Sequence, residues 1–128
     1  MKNVYTATFI EEDGTFYARV PDLPGCITTG KNLADAIEQI TDAANLWLVT
    51  AEDHGNPLPS ATAQCDIERP EGASLTMIQV DTIAYRAATD TKAVRKSVSL
   101  PAWLAKLADK RGINCSQVLQ EGLMNRLL

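Results

Sequence analysis

"EDGTFYARVPDLPGCITTG", residues 12–30, is the stretch on which the fold turns. "TFYARV" at 15–20 alternates, with Phe16, Ala18 and Val20 on one face and Tyr17 and Arg19 on the other. "EEDG" just before it is a turn, with Gly14 supplying the flexible backbone. Upstream, "NVYTATFI" at 3–10 reads as a strand, so residues 3–20 predict a β-hairpin. Pro21 and Pro24 then hold the chain extended and exclude helix. Gly25 allows a tight reversal, "CITT" at 26–29 makes a short third strand, and Gly30 ends it. Cys26 is expected to face the core. Asp22 is expected to hydrogen-bond within its own turn, as Asp often does.

A long amphipathic helix over 32–53 follows. Asn32 is its N-cap and Asp35 lies in its first turn. Leu33, Ala36, Ile37, Ile40, Ala44, Trp47 and Leu48 recur at helical spacing and should pack on the sheet. "HGNPLPS" stops the helix. Residues 61–73 read as loop and "LTMIQVDT" at 75–82 as a last strand. The first module is therefore β-β-β-α-β, an α+β arrangement with one helix layered on one sheet.

Residues 87–92, "AATDTK", have no periodicity and read as a linker between modules at 1–86 and 93–128. Beyond it, "VRKSVSL" at 94–100 is a strand, and Pro101 fits the first position of a helix. That helix carries Leu104, Leu107 and Ala108 on one face and ends at Gly112. Asn114 caps a second helix, with Gln117 placed for a capping box. One strand and two helices in so short a segment cannot bury a core alone. The strand also leaves its backbone groups unpaired. Two copies pairing their strands antiparallel solve both problems, and a two-stranded ribbon fits the DNA major groove.

Charge divides the chain the same way. Residues 1–91 hold five Lys or Arg against fourteen Asp or Glu, a balance of −9; residues 92–128 hold seven against two, a balance of +5. The net charge of −4 conceals this split. An acidic module suits a basic protein partner, and a basic one suits nucleic acid. No apolar run approaches the roughly 18 residues of a membrane span. With no export signal at its start, the chain is expected in the cytoplasm, away from membranes. Cys26, Cys65 and Cys115 are odd in number, widely spaced and without a C-x-x-C pair, so neither a structural disulfide nor a zinc set is expected, and each is expected to be a small buried apolar residue. His54 is alone in its loop. No metal, cofactor or catalytic residue is expected.

"VRKSVSLPAWLAKLADKRGINCSQVLQEGL" resembles the ribbon-helix-helix family of dimeric DNA-binding proteins. The likeness lies in the strand running into Leu100-Pro101, the helix ending at Gly112 and the polar-capped second helix. In that family the outward strand residues read base edges. Alternation places Val94, Lys96, Val98 and Leu100 on the more apolar, inward face, so Arg95, Ser97 and Ser99 would contact bases. The resemblance also implies a phosphate site at Asn114, Cys115 and Ser116, where the second helix begins. Lys96 departs from the pattern, which has an apolar residue there. Either it snorkels at the end of the ribbon or the strand register is shifted.

The N-terminal module is similar to the HicB antitoxin family over residues 4–60. The similarity rests on the stretch quoted first, then "NLADAIEQITDAANLWL", then "HGNPLPSA". It implies a reduced ribonuclease H-like fold that binds and neutralises a small basic RNA-cleaving toxin of the HicA type. It also implies a C-terminal module that represses its own operon by binding operator double-stranded DNA. The expected assembly is a homodimer through residues 93–128, or two such dimers joined as a tetramer. A ribonuclease H-type site needs carboxylates converging from a strand to hold two metals. "NVYTATFI" has none, so no hydrolysis is expected. Asp35, Glu38 and Asp42 form an acidic stripe that is either solvated or faces the toxin, and they are the candidate toxin-binding residues. The alternative is a free-standing ribbon-helix-helix transcription regulator with an oligomerising or ligand-sensing N-terminal domain.

Overall fold

The hairpin forms around a two-residue turn. Asp13 and Gly14 both adopt positive φ, 51° and 79°, which matches the twist of the flanking strands. The computed structural model describes residues 1–127. In it β1 (Lys2–Glu12) pairs antiparallel with β2 (Thr15–Arg19), placing Phe9 opposite Ala18. β3 (Ile27–Gly30) pairs with β2, and β4 (Ser74–Asp81) returns along the other side of β1 with Ile78 opposite Tyr5. The sheet order is β3-β2-β1-β4, antiparallel throughout.

Period-two alternation puts Tyr5, Ala7, Phe9, Ala18, Val20, Ile78 and Val80 on one face, all buried. Helix α1 (Leu33–Asp53) covers them with Ala36, Ile40, Ala44 and Leu48. Ile37 and Trp47 are half-buried at its flanks. Leu33 departs from the expected stripe: it is the first residue of the helix and is exposed. Asn32 caps the helix, its side-chain oxygen accepting the Asp35 N–H at 2.8 Å. The Asp35 carboxylate in turn accepts the Lys31 N–H at 2.8 Å.

Gly30 ends the third strand, as expected, being its last residue, and it is buried. A Cβ there would lie 2.8 Å from Ala36 Cβ and closer still to the Ala36 backbone. The missing side chain is what lets α1 cross so near the sheet. Asp22 differs from expectation. Its carboxylate takes the Thr62 N–H at 2.8 Å and the Thr62 hydroxyl at 2.7 Å, fastening the 21–26 connector to the chain that follows α1. The Tyr5 hydroxyl donates to Pro59 O at 2.6 Å and holds the same segment. A 3-10 turn, Gln64–Asp66, interrupts the loop at 61–73.

The last strand ends at Asp81 because Asp81 caps a helix that periodicity missed, α2 (Thr82–Thr89). Its carboxylate accepts the Ala84 N–H at 3.0 Å. Arg86 of α2 reaches Asp53 at 2.8 Å and Glu52 at 3.4 Å on α1. Helix therefore continues through 87–89, inside the segment read as linker. Eight residues are too short to announce themselves by pattern, and tertiary ion pairing supports them.

Two compact units result, Met1–Thr91 and the chain from Lys92 onward. The second holds α3 (Ala102–Lys110) and α4 (Cys115–Leu127). Pro101 is the N-cap of α3, one place before the expected position. Gly112 (φ 65°) closes α3 with a paired C-terminal motif: its N–H bonds Asp109 O at 3.1 Å, and the Ile113 N–H bonds Ala108 O at 3.0 Å. Asn114 accepts the Gln117 N–H at 3.2 Å, but the Gln117 side chain turns to Glu121, so the capping box is half-formed. Residues 94–100 form no strand. An isolated extended segment has no neighbour for its N–H and C=O groups, and this unit offers it none. Cys26 is buried as expected. Cys65 and Cys115 are exposed, since the turn and the helix start that carry them lie at the surface.

Candidate functional site

The C-terminal unit combines basic charge with an unsatisfied interior. Among the described residues from 92 on, none is buried. Val94, Val98, Leu104, Leu107, Leu119 and Leu123, apolar positions of its 94–100 segment and helices, are all exposed. Residues 93–96 lie beside Ser116, Leu119, Gln120 and Leu123 of α4, and a groove of about 590 Å³ opens between them. Spacing on α4 puts Ser116, Leu119, Gln120 and Leu123 on one side of the helix. The groove is therefore walled by the apolar Ala93, Val94, Leu119 and Leu123 together with the polar Arg95, Lys96, Ser116 and Gln120, and is open to solvent.

Arg95, Ser97 and Ser99 are exposed on the 94–100 segment, and so is Lys96. Among the described residues these side chains make no hydrogen bond or ion pair, so they are free to meet a ligand. At the start of α4, Asn114 caps the Gln117 N–H, and Asn114 O takes the Val118 N–H at 3.1 Å. The amides of Cys115 and Ser116 belong to the first turn, which has no intrahelical acceptors for them.

In the N-terminal unit the three candidate acids are not equivalent. Asp35 is half-buried and its carboxylate is engaged in capping α1. Glu38 and Asp42 stand exposed on the outward side of the helix, with Asp53 three turns beyond Asp42 on the same side. Asp53 also holds Arg86, so the free acidic crest centres on Glu38 and Asp42.

Beside that crest lies a feature that periodicity did not single out. A groove of about 370 Å³ runs between β3 and the second half of α1, walled by Ile27, Ala43, Leu46, Trp47 and Thr50. Every residue lining it is uncharged. Trp47 is fixed as its wall by an indole N–H to Pro24 O bond of 2.9 Å. Ile27 and Leu46 are 62% and 52% exposed. The available signal was Leu46, an apolar residue that falls outside the buried stripe of its helix. At the floor, burial pushes the Cys26 thiol up to about 11 from its ordinary 9.0, so it is a packed neutral group. Tyr5, further into the core, is also raised, first by burial and then by the Asp22 charge. Among the described residues no three Asp, Glu, His or Cys side chains converge as a metal-binding set, and no helix is long and apolar enough to cross a membrane.

Comparison with known proteins covers nearly the whole chain. The family described as HicB_like antitoxin of bacterial toxin-antitoxin system matches residues 5–125. A UPF0150 protein of Synechocystis sp. is 38% identical over 52 residues, 41% of this chain and 71% of that protein. A toxin-antitoxin complex from Streptococcus pneumoniae contains a chain of the same fold (TM-score 0.63, 18% identity, 98% of this chain and 99% of that one). A chain of the HicA3 and HicB3 toxin-antitoxin complex matches at 25% identity and TM-score 0.53, over 62% of this chain and 99% of that one.

Proposed function

Because this chain belongs to the HicB-like antitoxin family, we propose that it neutralises a small HicA-type, mRNA-cleaving toxin by direct binding and represses its own operon by binding operator DNA. The first unit takes the toxin, and the second binds DNA as a ribbon-helix-helix homodimer. The observation that carries this division is the contrast between the units. The acidic unit has a complete core of its own, whereas the basic unit buries no side chain among its described residues.

Dimerisation gives the second unit what it lacks. Pairing of two 94–100 segments supplies the missing ladder, and four helices close over Val94, Val98, Leu119 and Leu123. The ribbon then presents Arg95, Ser97 and Ser99 to the major groove, while the first turns of α4 at Asn114, Cys115 and Ser116 meet phosphates. An inward Lys96 lies near the start of the ribbon, where its ammonium can reach water.

Three antiparallel strands followed by a helix across one face support the reduced ribonuclease H-like reading of the first unit. The carboxylates of β1 stand only at its last two residues, Glu11 and Glu12, beside the hairpin turn. We read the unit as a binding scaffold acting in the cytoplasm, with no catalytic role and no cofactor. Association through the first units would join two dimers into a tetramer. The deciding experiment is co-expression with the product of an adjacent small reading frame, expected to be basic. Co-purification and rescue of growth support the proposal, and a neighbour that is neither toxic nor retained refutes it. A gel shift on the upstream DNA tests the second half.

A further inference from the structure

We propose that the uncharged groove between β3 and α1, together with the acidic crest of Glu38 and Asp42 beside it, is the docking surface for a basic protein partner. The proposal rests on the antitoxin reading, under which that partner is the toxin.

Three observations meet at this place. First, the groove is lined wholly by uncharged residues on a unit whose charge balance is −9. Ile27 and Leu46 project from opposite walls with more than half of each exposed, and Trp47 lies between α1 and the connector. Protein interfaces have this anatomy: a desolvated apolar centre containing an aromatic anchor, with charge at the rim. Second, the anchor is preorganised. The Trp47 indole is tied to Pro24 O at 2.9 Å, and the connector bearing Pro24 is fastened in turn through Asp22 to Thr62. Little side-chain freedom is left for a partner to remove on binding.

Third, the charge has one sign. Helical geometry sets Glu38, Asp42 and Leu46 on consecutive turns, so the acids run directly into the apolar wall. Among the described residues no ion pair neutralises either acid. A second copy of this unit would bring its own crest against them. A basic partner would instead be drawn in by the crest and held by the groove. The pattern therefore selects a positively charged protein carrying an apolar projection, and the acids serve encounter more than they serve final affinity.

The test uses the whole chain and a HicA-type protein, taken from an adjoining reading frame, by pull-down and titration. Leu46→Lys and Ile27→Lys alter exposed side chains and should leave the fold intact by circular dichroism. Each should weaken binding by about 30-fold or more, the size of a hot-spot substitution. Glu38→Lys with Asp42→Lys should chiefly slow association and flatten its salt dependence. Operator binding by all these variants should match the parent. If the parent binds the toxin and the groove variants bind it equally well, the docking surface is refuted while the antitoxin reading stands. If the parent itself does not bind, the antitoxin reading fails and takes this surface with it. Variants that keep toxin affinity but fall to a smaller assembly by light scattering would overturn the proposal in favour of a second copy in the groove.

Discussion

Asp22 and Thr62, separated by 40 positions in the chain, are joined by two hydrogen bonds of 2.8 and 2.7 Å to one carboxylate. With the bond from Tyr5 to Pro59, they strap the segment after α1 across the β2–β3 connector. Asp22 is thus a structural clasp. Asp22→Ala should lower the stability of the first unit by about 1–2 kcal/mol, the upper range being muted by solvent access. Thr62→Val should cost less, since it keeps the backbone N–H. Urea midpoints of both variants check this, and an unshifted midpoint for Asp22→Ala would show that the clasp adds nothing.

Gly30 makes a sharper prediction. Its φ is unexceptional, so the constraint is contact alone: any Cβ collides with Ala36 at the first turns of α1. Gly30→Ala should destabilise the unit by about 1–3 kcal/mol, as overpacking of a tight site does. Gly25→Ala faces no neighbour, yet it forces Ala into a φ of 82°. It should also destabilise, through backbone strain. Pairing Gly30→Ala with Ala36→Gly should recover little of the loss, because the atoms nearest the added Cβ are the backbone N and Cα of Ala36; urea midpoints of the single and double variants check this.

Cys26 links burial to pH. Its folded value of about 11 lies above the ordinary 9.0, so the thiol is stable while neutral. The contribution is present below pH 9 and is lost as pH rises from there through the folded value. Thermal stability of the first unit should fall over that window, and less so in Cys26→Ala. At pH 8, Cys65 and Cys115 should react with a thiol reagent in the native protein, and Cys26 only on unfolding. Rapid modification of all three would contradict the packing described.

The helix-on-sheet layer was legible because Ala36, Ile40, Ala44 and Leu48 repeat at the period that a half-covered sheet demands. What was not legible depended on distance. Asp22 seemed to belong to its turn because a short polar side chain usually bonds locally, and only the folded chain brings Thr62 to it. α2 was hidden because eight residues carry too little periodicity, while the Arg86 pairs that hold it come from another element. At the surfaces, the parity of 94–100 separated apolar from polar side chains. That a lone strand would leave its backbone groups unpaired was also legible; that the segment then forms no strand within a single chain was not. The acidic stripe was visible as spacing, but Ile27 and Leu46 become neighbours only when β3 packs beside α1.

Arg95 tests the assignment of the ribbon faces. If it reads a base, Arg95→Ala should weaken operator binding by about 1–3 kcal/mol and reduce discrimination against random DNA. Lys106→Ala and Lys110→Ala, if they meet only phosphates, should weaken both kinds of DNA alike and lower the salt slope. Gel shifts over a salt series separate the two cases. Unchanged sequence preference in Arg95→Ala would mean that Lys96 and Val98 face outward instead. Removing residues 92–128 should abolish DNA binding yet leave a folded first unit, because its core lies wholly within 1–91.

The second unit should be stable only as a pair, and its own tryptophan can report this. The chain has two tryptophans, Trp47 in the first unit and Trp103 in the second. In a Trp47→Phe background, fluorescence follows Trp103 alone. A unit that acquires its core by association unfolds with a midpoint that rises with protein concentration, whereas a self-sufficient one does not. Trp103 should therefore show a concentration-dependent transition, while circular dichroism of the first unit shows a fixed one. Leu119→Glu places a charge among Val94, Leu123 and the facing copy, where an unpaired carboxylate is strongly disfavoured. It should abolish the dimer and DNA binding together and leave the first transition in place. A concentration-independent Trp103 transition that survives Leu119→Glu would show that α3 and α4 fold without a partner, and the paired ribbon would have to be abandoned.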